Sequence, residues 1–128
     1  MPTDDDYKKN LTAEQYHVLR EKGTEAPFSG DLYAEVRDGM YHCGACAVPL
    51  FSSEVKYDSG CGWPAFYNAL DADTIVLTED RRYGMFRTEV TCKNCGSHLG
   101  HVFPDRNNPS GQWFCINSVA LNFKQKRS

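Results

Sequence analysis

Cys43-Gly-Ala-Cys46 and Cys92-Lys-Asn-Cys95 are two C-x-x-C pairs separated by 45 residues. Two residues between thiolates form a tight turn that points both sulfurs at one ion, and two such knuckles complete a closed tetrahedral site. A site of four thiolates leaves no coordination position for a substrate, so its work is structural. The metal expected at Cys43, Cys46, Cys92 and Cys95 is zinc, with iron the other occupant that four thiolates accept. A redox C-x-x-C motif or two disulfides are the competing readings, and the doubling of the motif at two strand ends argues against both. The gap between the pairs exceeds that of a simple zinc ribbon, so the metal stitches a larger fold.

Two cysteines remain. Cys61 lies in Asp58-Ser-Gly-Cys-Gly-Trp-Pro64 with a glycine on either side, so no neighbouring side chain restricts its backbone. Cys115 sits in Trp113-Phe-Cys-Ile-Asn117, where strand alternation puts Trp113, Cys115 and Asn117 on one face and Phe114 and Ile116 on the other. A fixed thiol beside a mobile one suits thiol redox chemistry, in which the first is oxidised and the second closes a disulfide. The alternative is an inert core cysteine and an accidental surface thiol. Ser97-His-Leu-Gly-His-Val-Phe103 follows the second knuckle directly. Residues three apart face opposite sides of a straight strand, so His98 and His101 converge only if the chain bends, which Gly100 would permit. Together they could stabilise a thiolate or donate a proton; separately, one is a core residue and the other exposed. His17 and His42 are read as ordinary surface or helix residues.

The elements that must position these groups read as one helix followed by strands. Thr12 and Gln15 are spaced as a capping box, and Tyr16, Leu19 and Gly23 complete a helix over 12–22. Strands are expected at 33–37 and 40–43, joined through Asp38-Gly39 as a hairpin, and at 50–57, 75–78, 84–92, 97–103 and 113–123. The irregular stretches 58–64 and 104–112 are loops, where function concentrates. The fold class is therefore mainly β and mainly antiparallel, with a short N-terminal helix and a structural zinc site. The 128 residues make a single domain, of which 1–10 read as a flexible N-terminus.

Fourteen basic and seventeen acidic residues give a net charge of −3, and the only basic run is Lys124, Lys126 and Arg127 at the end. That balance argues against a nucleic-acid or anionic-membrane partner. No apolar stretch approaches the roughly 18 residues of a membrane span. The polar, acidic start points to a reducing compartment, the cytoplasm.

The chain resembles the B-type methionine sulfoxide reductases from about Asn10 to Phe123. The resemblance is carried by both knuckles, by Ser59-Gly-Cys-Gly-Trp-Pro64, by His98-Leu-Gly-His-Val-Phe-Pro-Asp105 and by Phe114-Cys-Ile-Asn-Ser118. It implies a fold of two antiparallel sheets, barrel- or sandwich-like, with small peripheral helices, a structural zinc, no organic cofactor, and reduction of methionine-R-sulfoxide, free or protein-bound, to methionine. It also implies Cys115 as nucleophile passing through a sulfenic acid, Cys61 as resolving cysteine, a Cys61-Cys115 disulfide, and thioredoxin as reductant. Trp63, His98, His101 and Asn117 take the family's substrate-site positions. One residue departs from the pattern. The family usually carries arginine two residues before the nucleophile, where this chain has Trp113, on the face of Cys115 and so at the substrate site. Without that arginine, activation of Cys115 falls to the histidines, to backbone dipoles, or to another cation such as Arg87 or Arg106. A non-catalytic zinc scaffold and a zinc-dependent nucleic-acid module are the readings from other functional classes; the first makes Cys61 and Cys115 dispensable, and the second lacks a basic stripe.

Overall fold

The computed structural model describes residues 3–81, 84 and 87–126. Among them, two short helices precede nine strands: α1 (Asp4–Asn10), α2 (Ala13–Glu21), β1 (Gly39–Cys43), β2 (Pro49–Ser52), β3 (Lys56–Tyr57), β4 (Ala65–Phe66), β5 (Ile75–Asp80), β6 (Arg87–Cys92), β7 (His98–Pro104), β8 (Gln112–Ile116) and β9 (Leu121–Gln125). All pairings are antiparallel. One sheet has the order β2-β1-β9 and the other β3-β4-β8-β7-β6-β5.

Alternation along each strand decides which side chains meet between the sheets. Tyr41 of β1 and Phe51 of β2 face Phe66 of β4 and Phe114 of β8, and all four rings are fully buried. Phe51 stacks on Phe66 at 4.5 Å between centroids, and Tyr41 meets Phe66 edge-on at 5.1 Å. Each such side chain contributes about 2–3 kcal/mol by burial, so this aromatic layer is what holds sheet on sheet as a sandwich. Thr12 caps α2 as the capping box requires: its Oγ1 accepts from Gln15 N–H, and Gln15 Oε1 accepts from Thr12 N–H. Val18 and Leu19 bury the inner face of α2 against β7 and the turn at 118–120.

Several elements differ from the sequence reading. No strand forms at 33–37, which is turn and loop. Gly39 opens β1 opposite Gln125 of β9, and a Cβ there would lie 2.3 Å from the Lys124 carbonyl oxygen. The glycine serves a close strand approach, not a hairpin turn. The expected strand 50–57 breaks at a 3-10 turn, Ser53–Val55, and passes from one sheet to the other; 113–123 does the same at Ser118–Ala120. Of the strand expected at 84–92, β6 begins at Arg87, and residues 85, 86 and the terminal Arg127 lie outside the described ones. Within the first ten residues, α1 carries its own capping box, Thr3 with Asp6, and its Tyr7 is 4% exposed.

Candidate functional site: a four-cysteine cluster and a cavity-facing cysteine pair

Each C-x-x-C pair is the tip of a β-hairpin. Cys43 ends β1, and its N–H donates to the Val48 carbonyl across the turn into β2. Cys92 ends β6, its N–H donates to the Ser97 carbonyl, and Gly96 supplies the left-handed residue (φ 73°) that the turn into β7 needs. The hairpins belong to different sheets, and their four sulfurs lie within 4.8 Å of one another. Cys43 and Cys95 stand 3.7 Å apart and Cys46 and Cys92 3.6 Å apart. Thiolates at about 2.3 Å from one tetrahedral ion stand roughly 3.8 Å from each other. The cluster therefore fits a metal ion, and Ser97 Oγ lies 3.1 Å from Cys95 Sγ.

The second site is made by an irregularity in β7. Thr91 pairs with His98 but Val90 pairs with Gly100, so Leu99 is an extra residue, a β-bulge. The bulge shifts the side-chain phase by one position, which puts His98 and His101 on the same side, their rings 5.5 Å apart edge to face. The expected bend thus occurs one residue before Gly100. Gly100 is needed for another reason: a Cβ there would lie 2.2 Å from the Cys115 carbonyl oxygen in β8. The Leu99 carbonyl, displaced from the ladder, accepts from both the backbone N–H of Asn117 (2.9 Å) and its side-chain Nδ2 (3.0 Å).

His101 pairs directly across the ladder with Cys115, and these two, with Thr24, Cys61, Trp63, Arg87, Phe103, Trp113 and Asn117, line a cavity of about 170 Å³. Cys61, in the loop before β4, brings its Sγ to 3.5 Å from Cys115 Sγ. The two thiols differ in acidity. The hydrogen bond from Cys115, together with one from Ser59, lowers Cys61 to about 6 despite partial burial. Cys115 is pushed well above the usual thiol range by the contact with Cys61, by burial and by the negative charge of Glu25. Cys61 is thus the more acidic thiol of the pair and Cys115 the less acidic.

Buried carboxylates hold both histidines. His101 donates from Nε2 to Asp80 Oδ2 at 2.8 Å, and His98 donates from Nδ1 to Glu89 Oε2 at 2.7 Å. Asp80 and Glu89 are 6% and 5% exposed. An Arg87 nitrogen stands 3.6 Å from Asp80. Of the residues singled out in the sequence, Cys61, Cys115, His101, Trp63, Trp113 and Asn117 line the cavity, while His98 lies beside His101 without lining it. Asn117 has both ends of its amide engaged with the protein, since its Oδ1 also accepts from Glu25 N–H. Trp63 donates from Nε1 to the Glu25 carbonyl at 3.0 Å. Trp113 packs on Phe103 at 5.1 Å, and its buried Nε1 has no hydrogen-bond partner among the described residues. Of the two cations considered in place of an arginine at 113, Arg87 lines the cavity and Arg106 does not. Sequence reasoning missed Thr24, Glu25, Asp80, Glu89 and Phe103. A signal existed for Glu89, a carboxylate in the middle of an expected strand. Asp80 carried none, because it lies just past the strand expected at 75–78.

The fold and these two sulfur sites define a class: a two-sheet β protein with a four-cysteine metal-type cluster and a separate cavity-facing dithiol flanked by a carboxylate-held histidine. The SelR domain family matches residues 11–125. Among curated relatives, the peptide methionine sulfoxide reductase MsrB of Methanosarcina barkeri is 57% identical over 122 residues, 95% of this chain and 86% of that protein. The MsrB of Methanosarcina mazei is 55% identical over 97% of this chain and 89% of its own length, and that of an Escherichia coli O45:K1 strain is 50% identical over 95% and 89%. The chain belongs to the SelR-domain family of B-type methionine sulfoxide reductases. Among the described residues, no helix is long and apolar enough to cross a membrane.

Proposed function

We propose that this enzyme reduces methionine-R-sulfoxide, in proteins or free, to methionine, with Cys115 as nucleophile, Cys61 as resolving cysteine and thioredoxin as the reductant. The observation that carries the reading is the pair of sulfurs 3.5 Å apart opening on the same small cavity. At about 170 Å³ the space is well below the roughly 300–1,000 Å³ of pockets for whole drug-sized ligands. It suits the end of a side chain: the methyl against the faces of Trp63 and Trp113, the polar S=O toward His101.

Proton placement gives the order of steps. Cys115 Sγ attacks the sulfoxide sulfur as its proton passes to the sulfoxide oxygen. His101, its Nε2 held by Asp80, carries that proton across through its other ring nitrogen. The oxygen passes to Cys115 as sulfenic acid, the substrate sulfur gains two electrons, and methionine leaves. Cys61, the more acidic thiol, attacks Cys115 Sγ as thiolate; the S–O bond breaks, the oxygen takes up the proton that Cys61 released and departs as water, and a Cys61-Cys115 disulfide remains. Two electrons and two protons from the dithiol of thioredoxin restore the pair, which suits the reducing cytoplasm. Asn117 acts by fixing the bulge at Leu99, and His98 by backing His101. Cys43, Cys46, Cys92 and Cys95 would hold zinc, which when bound adds stability and leaves the chemistry to the cavity.

The test is an assay on separated R and S sulfoxides with mass mapping of the oxidised enzyme. Turnover of the R form alone, with a Cys61-Cys115 cross-link in the product, is the expected result. Turnover of the S form, or unchanged turnover by Cys115→Ser, would overturn the assignment.

A further inference from the structure

Trp63 and Asn117 come from elements far apart in the chain, yet both are tied to one residue that does not line the cavity. Glu25 N–H donates to Asn117 Oδ1 at 3.1 Å, and the Glu25 carbonyl accepts from Trp63 Nε1 at 3.0 Å. The segment carrying Glu25 leaves the end of α2 and has no regular secondary structure of its own. Its own side chain anchors it. Glu25 is 6% exposed, and its Oε1 accepts the Val119 N–H at 2.9 Å, at the start of the 3-10 turn that follows Asn117. Oε2 is buried against Gly30, where a Cβ would come within 2.5 Å of it. Gly30 is thus part of the fit, because any side chain there would displace the carboxylate. Placing a carboxylate in so dry a site is costly unless it organises something, and burial accordingly raises its pKa.

We propose that Glu25 is a positioning residue: its carboxylate docks the segment after α2 on the 118–120 turn, and its main-chain atoms then lock Trp63 and Asn117 as two walls of the substrate cavity. Thr24, the neighbouring residue, lines the same cavity and is set in place by the same anchor. The carboxylate reaches the reacting atoms only through its charge, the smallest of the influences on Cys115, so its loss should weaken substrate binding more than the chemical step. Glutamine keeps a carbonyl oxygen at the position of Oε1 and can accept the Val119 N–H; alanine cannot, and aspartate is one methylene short.

The proposal rests on the sulfoxide-reductase reading only for its kinetic readout. The chain has two tryptophans, Trp63 and Trp113, so its indole N–H spectrum holds two signals, assigned with Trp113→Phe. In Glu25→Ala the Trp63 signal should move while that of Trp113 stays, and KM for methionine-R-sulfoxide should rise about tenfold with kcat changed by less than about threefold. Glu25→Gln should restore both toward wild type. An unmoved Trp63 signal with unchanged KM in Glu25→Ala overturns the proposal, and so does failure of Glu25→Gln to restore either. If Glu25→Ala does not fold, Glu25→Asp decides on the same two readouts: a moved Trp63 signal supports the anchor, an unmoved one overturns it. Should the wild-type chain not turn over the sulfoxide, the function reading fails while the indole signals still decide the role of Glu25.

Discussion

In the four-cysteine cluster the sulfurs pair at 3.6 and 3.7 Å, and in the cavity Cys61 and Cys115 stand 3.5 Å apart. Sulfur spacing therefore does not separate a metal site from a redox pair. Number and access do. The cluster has four sulfurs, three of them in buried residues, each pair framed by a hairpin whose backbone hydrogen bonds leave no slack. The cavity has two, both partly accessible, one on a central strand and one on a loop between glycines. Four thiolates around one cation give a closed, inert unit, whereas two thiols sharing a proton beside an open space keep one sulfur ready to react.

The contrast is broken most sharply by Cys92→Ser. Loss of one ligand should release the metal and remove stability on the order of 10 kcal/mol, leaving no cooperative melt and substoichiometric zinc by elemental analysis. Cys115→Ser should keep both metal and melt; a variant that lost them would mean that the two sites are one unit. Next in size is Cys61→Ser, which should yield about one methionine per enzyme in a single turnover. Its steady-state rate with a protein dithiol should fall by about 10²-fold or more, read by product counting and by a trapped Cys115 sulfenic acid. A smaller effect lies in the proton the pair shares. Cys61 should be alkylated with a half-maximal rate near pH 6, thiolate being gained as pH rises through that value and lost below it. In Cys115→Ala the donor is gone, and the midpoint should climb toward the ordinary thiol value of about 8.5. An unmoved midpoint would show that the sulfur contact does not set the acidity. The smallest change is expected from Trp113→Arg, measured in a Cys61→Ser background: a cation on the cavity wall should lower the alkylation midpoint of Cys115, and by less than Cys115→Ala raises that of Cys61. No change would mean that Arg87 already supplies the charge.

What could be read without coordinates was local. The capping box at Thr12 and Gln15 closes over three residues, and a knuckle over two. Alternation through 113–117 put Phe114 and Ile116 in the core and Trp113, Cys115 and Asn117 on the cavity side. Where partners lie far apart in sequence, the reading was incomplete. Asp38-Gly39 has the composition of a hairpin turn, but β1 finds its partners at 49–52 and 121–125, and propensity yields to that pairing. The breaks in 50–57 and 113–123 mark passage between sheets, which no local pattern signals.

The grouping of the six cysteines as four plus two was legible in residue type and short spacing, because a turn of two residues and a strand of period 2 are properties of adjacent peptides. Which histidine faces the dithiol, which carboxylates hold the histidines, and that Glu25 braces Trp63 and Asn117 were decided only by the tertiary structure. Those relations depend on cross-strand register and on a single bulge at Leu99, and register is set by which long-range pairing buries the most apolar surface, a quantity that belongs to the whole fold.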